Sequence, residues 1–184
     1  MDYNINSSRR RFLQQLSCTT AALALPSLAT AAVEKPRQVR RLAFDNLHTG
    51  EKLTLTYFEQ GHYIDEALQE INHLLRDHRS GEMFAMDPAL FDLLFDMQTR
   101  LGSHRPFQVI SGYRSPTTNA KLQKATSGVA TKSLHMRGKA IDIRMEGVDS
   151  ATIRRVAMTM RRGGVGYYPT SNFVHIDTGR VRSW

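Results

Sequence analysis

The chain has 184 residues, 41% of them hydrophobic and 23% charged, which suits one domain with its own core and excludes a disordered composition. Its 25 basic and 17 acidic residues give a formal charge of +8. No nucleic-acid motif or aromatic-interleaved basic stripe accompanies that charge, so it points to an anionic cell wall or membrane surface and away from DNA or RNA.

In chain order, the first element is an N-terminal export signal over residues 1–31. "SSRRRFLQQL" sets consecutive arginines before Phe12 and Leu13, and an Ala-rich run leads to Ala29-Thr30-Ala31, with cleavage expected near Ala31. The match of Ser8 to Leu13 resembles a twin-arginine signal, which implies a periplasmic destination. The apolar run is interrupted by Pro26 and is shorter than the roughly 20 residues that span a bilayer, so no transmembrane anchor is expected. Cleavage would remove Arg9, Arg10, Arg11 and Asp2, leaving 22 basic against 16 acidic residues, a net +6. It would also remove Cys18, the only cysteine, which excludes disulfides, Cys-ligated zinc and thiol catalysis. Any metal site must then be built from His and carboxylates.

Residues 32–39 read as a linker and 40–184 as a single domain. "RLAFDNLHTGEKLTLTYFEQG" predicts two strands around the turn "HTGE". Ile64, Leu68, Ile71, Leu74 and Leu75 share one face of a helix expected to stop at Gly81, with His73 and His78 at its solvated side. Asp87 as N-cap and Pro88 open a second helix through Leu101. "PFQVISGYRS" predicts a buried strand and a turn at Gly112, "PTTNAKLQKATSG" a helix, "KAIDIRM" a strand, and "DSATIRRVAMTMRRG" a helix capped by Asp149 or Ser150. Two strands about a Pro-Thr-Ser-Asn turn close the pattern. Early helices and late short strands predict an α+β fold, helices packed on one face of a small, mainly antiparallel sheet.

Strand alternation selects the candidate site. In "KAIDIRM", Ala140, Asp142 and Arg144 share one face and Ile141 and Ile143 the other; in "FVHID", His175 and Asp177 lie opposite Val174 and Ile176. Alone, a strand Asp is more often an ion-pair partner and a strand His a core hydrogen-bonding group. Together with His135, which Gly138 lets fold back, Asp142 and His175 supply two imidazoles and a carboxylate, a donor set zinc takes in sites that keep a position for water.

The pattern His135-x-x-Gly138-x-Ala140-x-Asp142, the strand "VHID" and the element "SGYRS" (Ser111 to Ser115) resemble the zinc D-Ala-D-Ala peptidases of the lysostaphin, D-alanyl-D-alanine carboxypeptidase and hedgehog superfamily. "NLHTGE", "GGVGYYP" and "SNFVHIDTG" extend the resemblance, from about Leu42 to Trp184, to its murein endopeptidase branch. The resemblance implies Zn²⁺ held by His135, Asp142 and His175 in a cleft on the sheet, one ion per chain. Arg114 would hold a substrate carboxylate or stabilise an oxyanion, and Gln108 and Ser115 would orient the metal site or its substrate. The implied substrate is cross-linked peptidoglycan peptide: the 3-3 bond between two meso-diaminopimelate residues first, the D-Ala to diaminopimelate 4-3 bond second.

One position departs from that pattern. Relatives commonly carry a Glu, Asp or His base three residues before the last ligand, where this chain has Asn172, which cannot accept a proton from water. Asp177, two residues past His175 on the same face, is left with two roles: general base, or hydrogen-bond partner of a ligand histidine. The missing base also keeps open a second function, a wall-binding or scaffold protein that retains the metal pocket without catalysis.

Overall fold

The computed structural model describes residues 39–125 and 129–184; the expected signal and all but the last residue of the linker lie outside the described residues. The chain begins with the expected hairpin. Strands β1 (Arg40–Asn46) and β2 (Lys52–Glu59) pair antiparallel around a turn that Asn46 closes, its Oδ1 accepting from the backbone N–H groups of His48 and Thr49 at 2.9 and 3.2 Å. A two-residue strand β3 (His62–Tyr63), without a sequence signal of its own, adds to β2.

Helix α1 (Asp65–Leu74) is shorter than its apolar pattern predicts. Beyond it the chain turns: Asp77 N–H donates to the Glu82 carbonyl and Gly81 N–H to the Asp77 carbonyl, while Tyr113 N–H takes the Leu75 carbonyl at 2.7 Å. A distant strand end thus claims a carbonyl that a longer helix would use. Helix α2 (Pro88–Leu101) starts as expected, with the Asp87 side chain accepting from Ala89 N–H, and ends at the left-handed Gly102. After β4 (Phe107–Ser111) come α3 (Pro116–Ala125), a short 3-10 helix (Leu134–Arg137), β5 (Ala140–Met145), α4 (Ser150–Met160), β6 (Gly164–Tyr168), β7 (Phe173–Asp177) and β8 (Arg182–Ser183).

Among the described residues the fold is α+β, with four α-helices and one eight-stranded sheet in the order β3-β2-β1-β4-β5-β7-β6-β8. The expectation of a small, mainly antiparallel sheet is corrected: the sheet is mixed. β1 and β4 run parallel, and so do β6 and β8. Parallel neighbours need a long crossover, which here runs through α1 and α2 before β4 returns beside β1. Local alternation carries no record of that pairing, and β8 is too short to show a period.

Leu42, Phe44, Phe107, Val109, Ile141, Ile143, Val174 and Ile176 form the apolar sheet face, covered by residues of α1, α2 and α4 in one core. Each such side chain contributes about 1.5–3 kcal/mol on burial. α3 contributes nothing to that core and buries Thr118 and Asn119 instead. The opposite, polar face of β5 and β7 is left for the site. Among the described residues no helix is long and apolar enough to cross a membrane.

Candidate metal centre and its cleft

Three local devices bring the predicted donors together. First, β5 and β7 pair so that Asp142 lies directly opposite His175 and Ala140 opposite Asp177, on the polar face. Second, β4 accommodates an extra residue, Ile110, between Val109, which faces Ile143, and Ser111, which faces Asp142. That bulge shifts Ser111 to the polar side and turns the strand end over the site. Third, the 3-10 helix carrying His135 is capped by Ser133 and stopped by Gly138 in the left-handed region, φ 63°. A Cβ at Gly138 would run into the Ala85 carbonyl, so the turn requires glycine.

The donor atoms converge. His175 Nδ1 stands 2.9 Å from Asp142 Oδ1 and 3.1 Å from His135 Nε2, and His135 Nε2 is 3.3 Å from Asp142 Oδ1. Ligands held by zinc at about 2.0–2.1 Å in a tetrahedron stand about 3.3 Å apart, so the three atoms already occupy one face of such a shell. All three residues are buried, and the group can hold a metal ion. The far nitrogens fix the tautomers. His135 Nδ1–H donates to the Gly112 carbonyl at 2.7 Å and His175 Nε2–H to Asp177 Oδ2 at 2.9 Å, so Nε2 and Nδ1 respectively are the nitrogens that would face a bound metal.

Electrostatics follow from this packing. Burial pushes the Asp142 carboxyl up, but the neighbouring imidazoles outweigh it and hold the group well below the usual carboxylate range. Burial alone would lower the His175 value; hydrogen bonds to Asp142 and Asp177 reverse that and push it up to about 9 in the metal-free chain. Asp177, itself 0% exposed, is held low against its burial by His175, Arg182 and backbone N–H groups. Arg182 grips it with two N–H bonds, 3.0 Å to Oδ1 and 2.6 Å to Oδ2, while Gly164 and Gly179 N–H add 2.9 and 2.8 Å bonds to Oδ1. A Cβ at Gly164 would collide with both Arg182 and Asp177, which explains a glycine of "GGVGYY".

Above the donors opens a cleft of about 620 Å³, its wall including Arg114, Lys132, Tyr168, Arg182 and Trp184. Arg114 is loosely engaged: its guanidinium lies 3.4 Å from Asn119 Oδ1, 3.4 Å from Ser111 Oγ and 3.6 Å from Asp142 Oδ2, and its buried Nε has no partner. Donors therefore remain for a ligand. Among the described residues lining the cleft, Asp142 is the one carboxylate.

The other sequence candidates sit apart from the donors. Gln108 accepts from Arg144 Nε at 2.8 Å, next along the sheet. Ser115 caps α3, its Oγ accepting from Thr118 N–H, and its own N–H is held by the buried Asp77 at 2.9 Å. Asn172 is exposed in the β6–β7 turn with φ 50°, a conformation Asn tolerates. Sequence reasoning passed over Ser111, Asp77, Tyr168, Arg182 and Trp184. Only the glycine spacing of "GGVG" hinted that something bulky lies across β6.

Two imidazoles and a carboxylate at the floor of an open basic cleft are a donor set of the kind that metal-binding proteins use, one that could hold a metal ion in reach of a polar ligand. The sequence family described as "Peptidoglycan L,D-endopeptidase MepK" matches residues 34–184. The chain belongs to that family. It is 46% identical over 179 residues to "Peptidoglycan L,D-endopeptidase MepK" of Escherichia coli (strain K12), covering 97% of this chain and 98% of the relative. The relative of that name in Shigella flexneri matches with the same figures. A relative from Haemophilus influenzae is 40% identical over 185 residues, 100% of this chain and 98% of its own.

Proposed function

We propose that the chain is a zinc-dependent peptidoglycan endopeptidase that hydrolyses cross-linking peptide bonds, with His135, Asp142 and His175 as the metal ligands. The observation that carries this reading is the convergence of three buried donor atoms beneath a basic cleft in a chain of this family. When bound, zinc supplies Lewis acidity and lowers the pKa of a bound water towards about 7. The chain's own residues do the rest. Arg114 offers its free donors to a substrate carboxylate or carbonyl oxygen, and Asp177, sealed behind His175, orients that ligand instead of taking a proton.

The L,D bond named for the relatives supports the 3-3 link between meso-diaminopimelate residues as the preferred substrate, with the 4-3 link second. A second reading, wall binding without cleavage, is favoured by one observation, the lack of a further carboxylate in the described cleft lining. Digestion of defined 3-3 and 4-3 muropeptide dimers by purified protein separates the two. The expected result is cleavage of the 3-3 dimer that a chelator abolishes. Tight binding without products, with zinc present, would establish the second reading.

A further inference from the structure

The cleft holds a proton donor that the metal-site motifs do not include. Tyr168 ends β6 opposite Phe173 and shares the polar face with Gly166 and His175, which are themselves paired. Its ring is stacked on Phe173, centroids 4.4 Å apart and planes within 16°. Across the gap, the indole of Trp184 lies on Gly166, where any Cβ would meet the ring. Backbone bonds from Trp184 N–H to Val165 O and from Tyr167 N–H to Trp184 O hold it there. The indole spans from the ligand His175, with ring centroids 5.2 Å apart, to the Tyr168 hydroxyl, to which Nε1–H donates at 3.0 Å.

That last bond fixes the direction of a proton. An indole nitrogen donates and never accepts, so the Tyr168 oxygen must be the acceptor, and its own O–H points elsewhere. Among the described residues no protein group receives that O–H. Tyr168 and Arg114 line the same cleft. A phenol that is locked by a stack, oriented by an indole and left with an unused donor in a reaction cleft fits a preorganised contact to developing negative charge.

We propose that Tyr168 is a catalytic residue whose hydroxyl donates a hydrogen bond, alongside Arg114, to the carbonyl oxygen of the scissile amide as that oxygen gains negative charge, and that Trp184 positions it. The proposal rests on the endopeptidase reading and adds a residue to it. Because the contact strengthens only as charge develops, it acts on turnover more than on substrate binding.

The test is Tyr168→Phe in the full zinc-loaded protein, which keeps the ring and its stack and removes only the oxygen. On a 3-3 muropeptide dimer, kcat and kcat/KM should fall together by about 10²-fold, the scale for losing one oxyanion donor, with KM nearly unchanged. A phosphinate analogue of the dimer, whose charged oxygen mimics the tetrahedral state, should lose affinity by a similar factor, while zinc content stays at the wild-type value. Trp184→Phe keeps an aromatic wall without the N–H and should lower kcat by a smaller factor. Unchanged kcat, a rise confined to KM, or loss of zinc in Tyr168→Phe would each overturn the role. Wild-type protein that cleaves no dimer with zinc bound would defeat the endopeptidase reading and the proposal with it; wild-type cleavage matched by Tyr168→Phe defeats the proposal alone.

Discussion

Asp177 stands beside the three candidate donors without being one of them, and its surroundings decide how His175 is held. Five N–H groups converge on its carboxylate, two from Arg182, one from His175 and two from the backbone. Asp177→Asn would turn an NH₂ toward some of these donors and leave Arg182 without its counter-charge. The expected outcome is a roughly 10- to 100-fold loss of zinc affinity by chelator competition, with activity recovering in excess zinc. A variant with normal zinc affinity but turnover lower by about 10²- to 10⁴-fold would make Asp177 the general base instead. The shared face of Asp142 and His175 was legible in the sequence because strand alternation assigns a face without knowledge of neighbours, whereas His135 sits on the 3-10 helix, where no alternation applies. Arg182 and Trp184 were not legible, because their importance arises from a β6–β8 pairing that no local pattern announces.

Elements meet the site through their ends. The β1–β2 turn docks on the end of α1 and the segment after it: Asn46 Nδ2 donates to the Leu74 carbonyl at 2.9 Å, Arg76 pairs with Glu51 at 2.8 Å, and the His48 and His78 rings stack at 3.9 Å. The same segment holds Ser115 N–H through Asp77 and so anchors the turn that carries Arg114. The sequence marks both motifs, "NLHTGE" and "SGYRS", yet not that they share a support. Helix periodicity there suggests a continuous α1, and tertiary hydrogen bonding prevails over it.

His78 makes this junction sensitive to acid. Burial first, then Arg79 and His48, push its imidazole down to about 4, against an opposing pull from Asp77 and with Arg114 adding to the repulsion. The folded chain keeps His78 neutral where the unfolded chain, with a value near 6.5, binds a proton, so the unfolded state takes up more protons between those limits. This contribution to stability is full above about pH 6.5 and is lost as pH falls towards 4. His78→Phe, which preserves an aromatic stack, should give a shallower fall in Tm across that window than wild type, both measured with chelator present. Parallel Tm curves would contradict the assignment.

At the scale of the whole molecule, one sheet separates two tasks. Its apolar face and three helices make the core, and its other face carries the donors on β5 and β7 with walls from β6, β8 and the loops around the 3-10 helix. The α+β class followed from the order of elements, whereas the mixed sheet came from a crossover whose strands lie far apart in sequence. In the proposed function, His135, Asp142 and His175 hold the one metal ion on which peptidoglycan cleavage depends. Zinc titration into metal-free protein, with 3-3 dimer cleavage followed at each step, decides this. Activity should rise linearly and stop at one zinc per chain, and His175→Ala should bind no zinc at the same concentrations; full activity in metal-free protein, or one tightly bound zinc in His175→Ala, would contradict it.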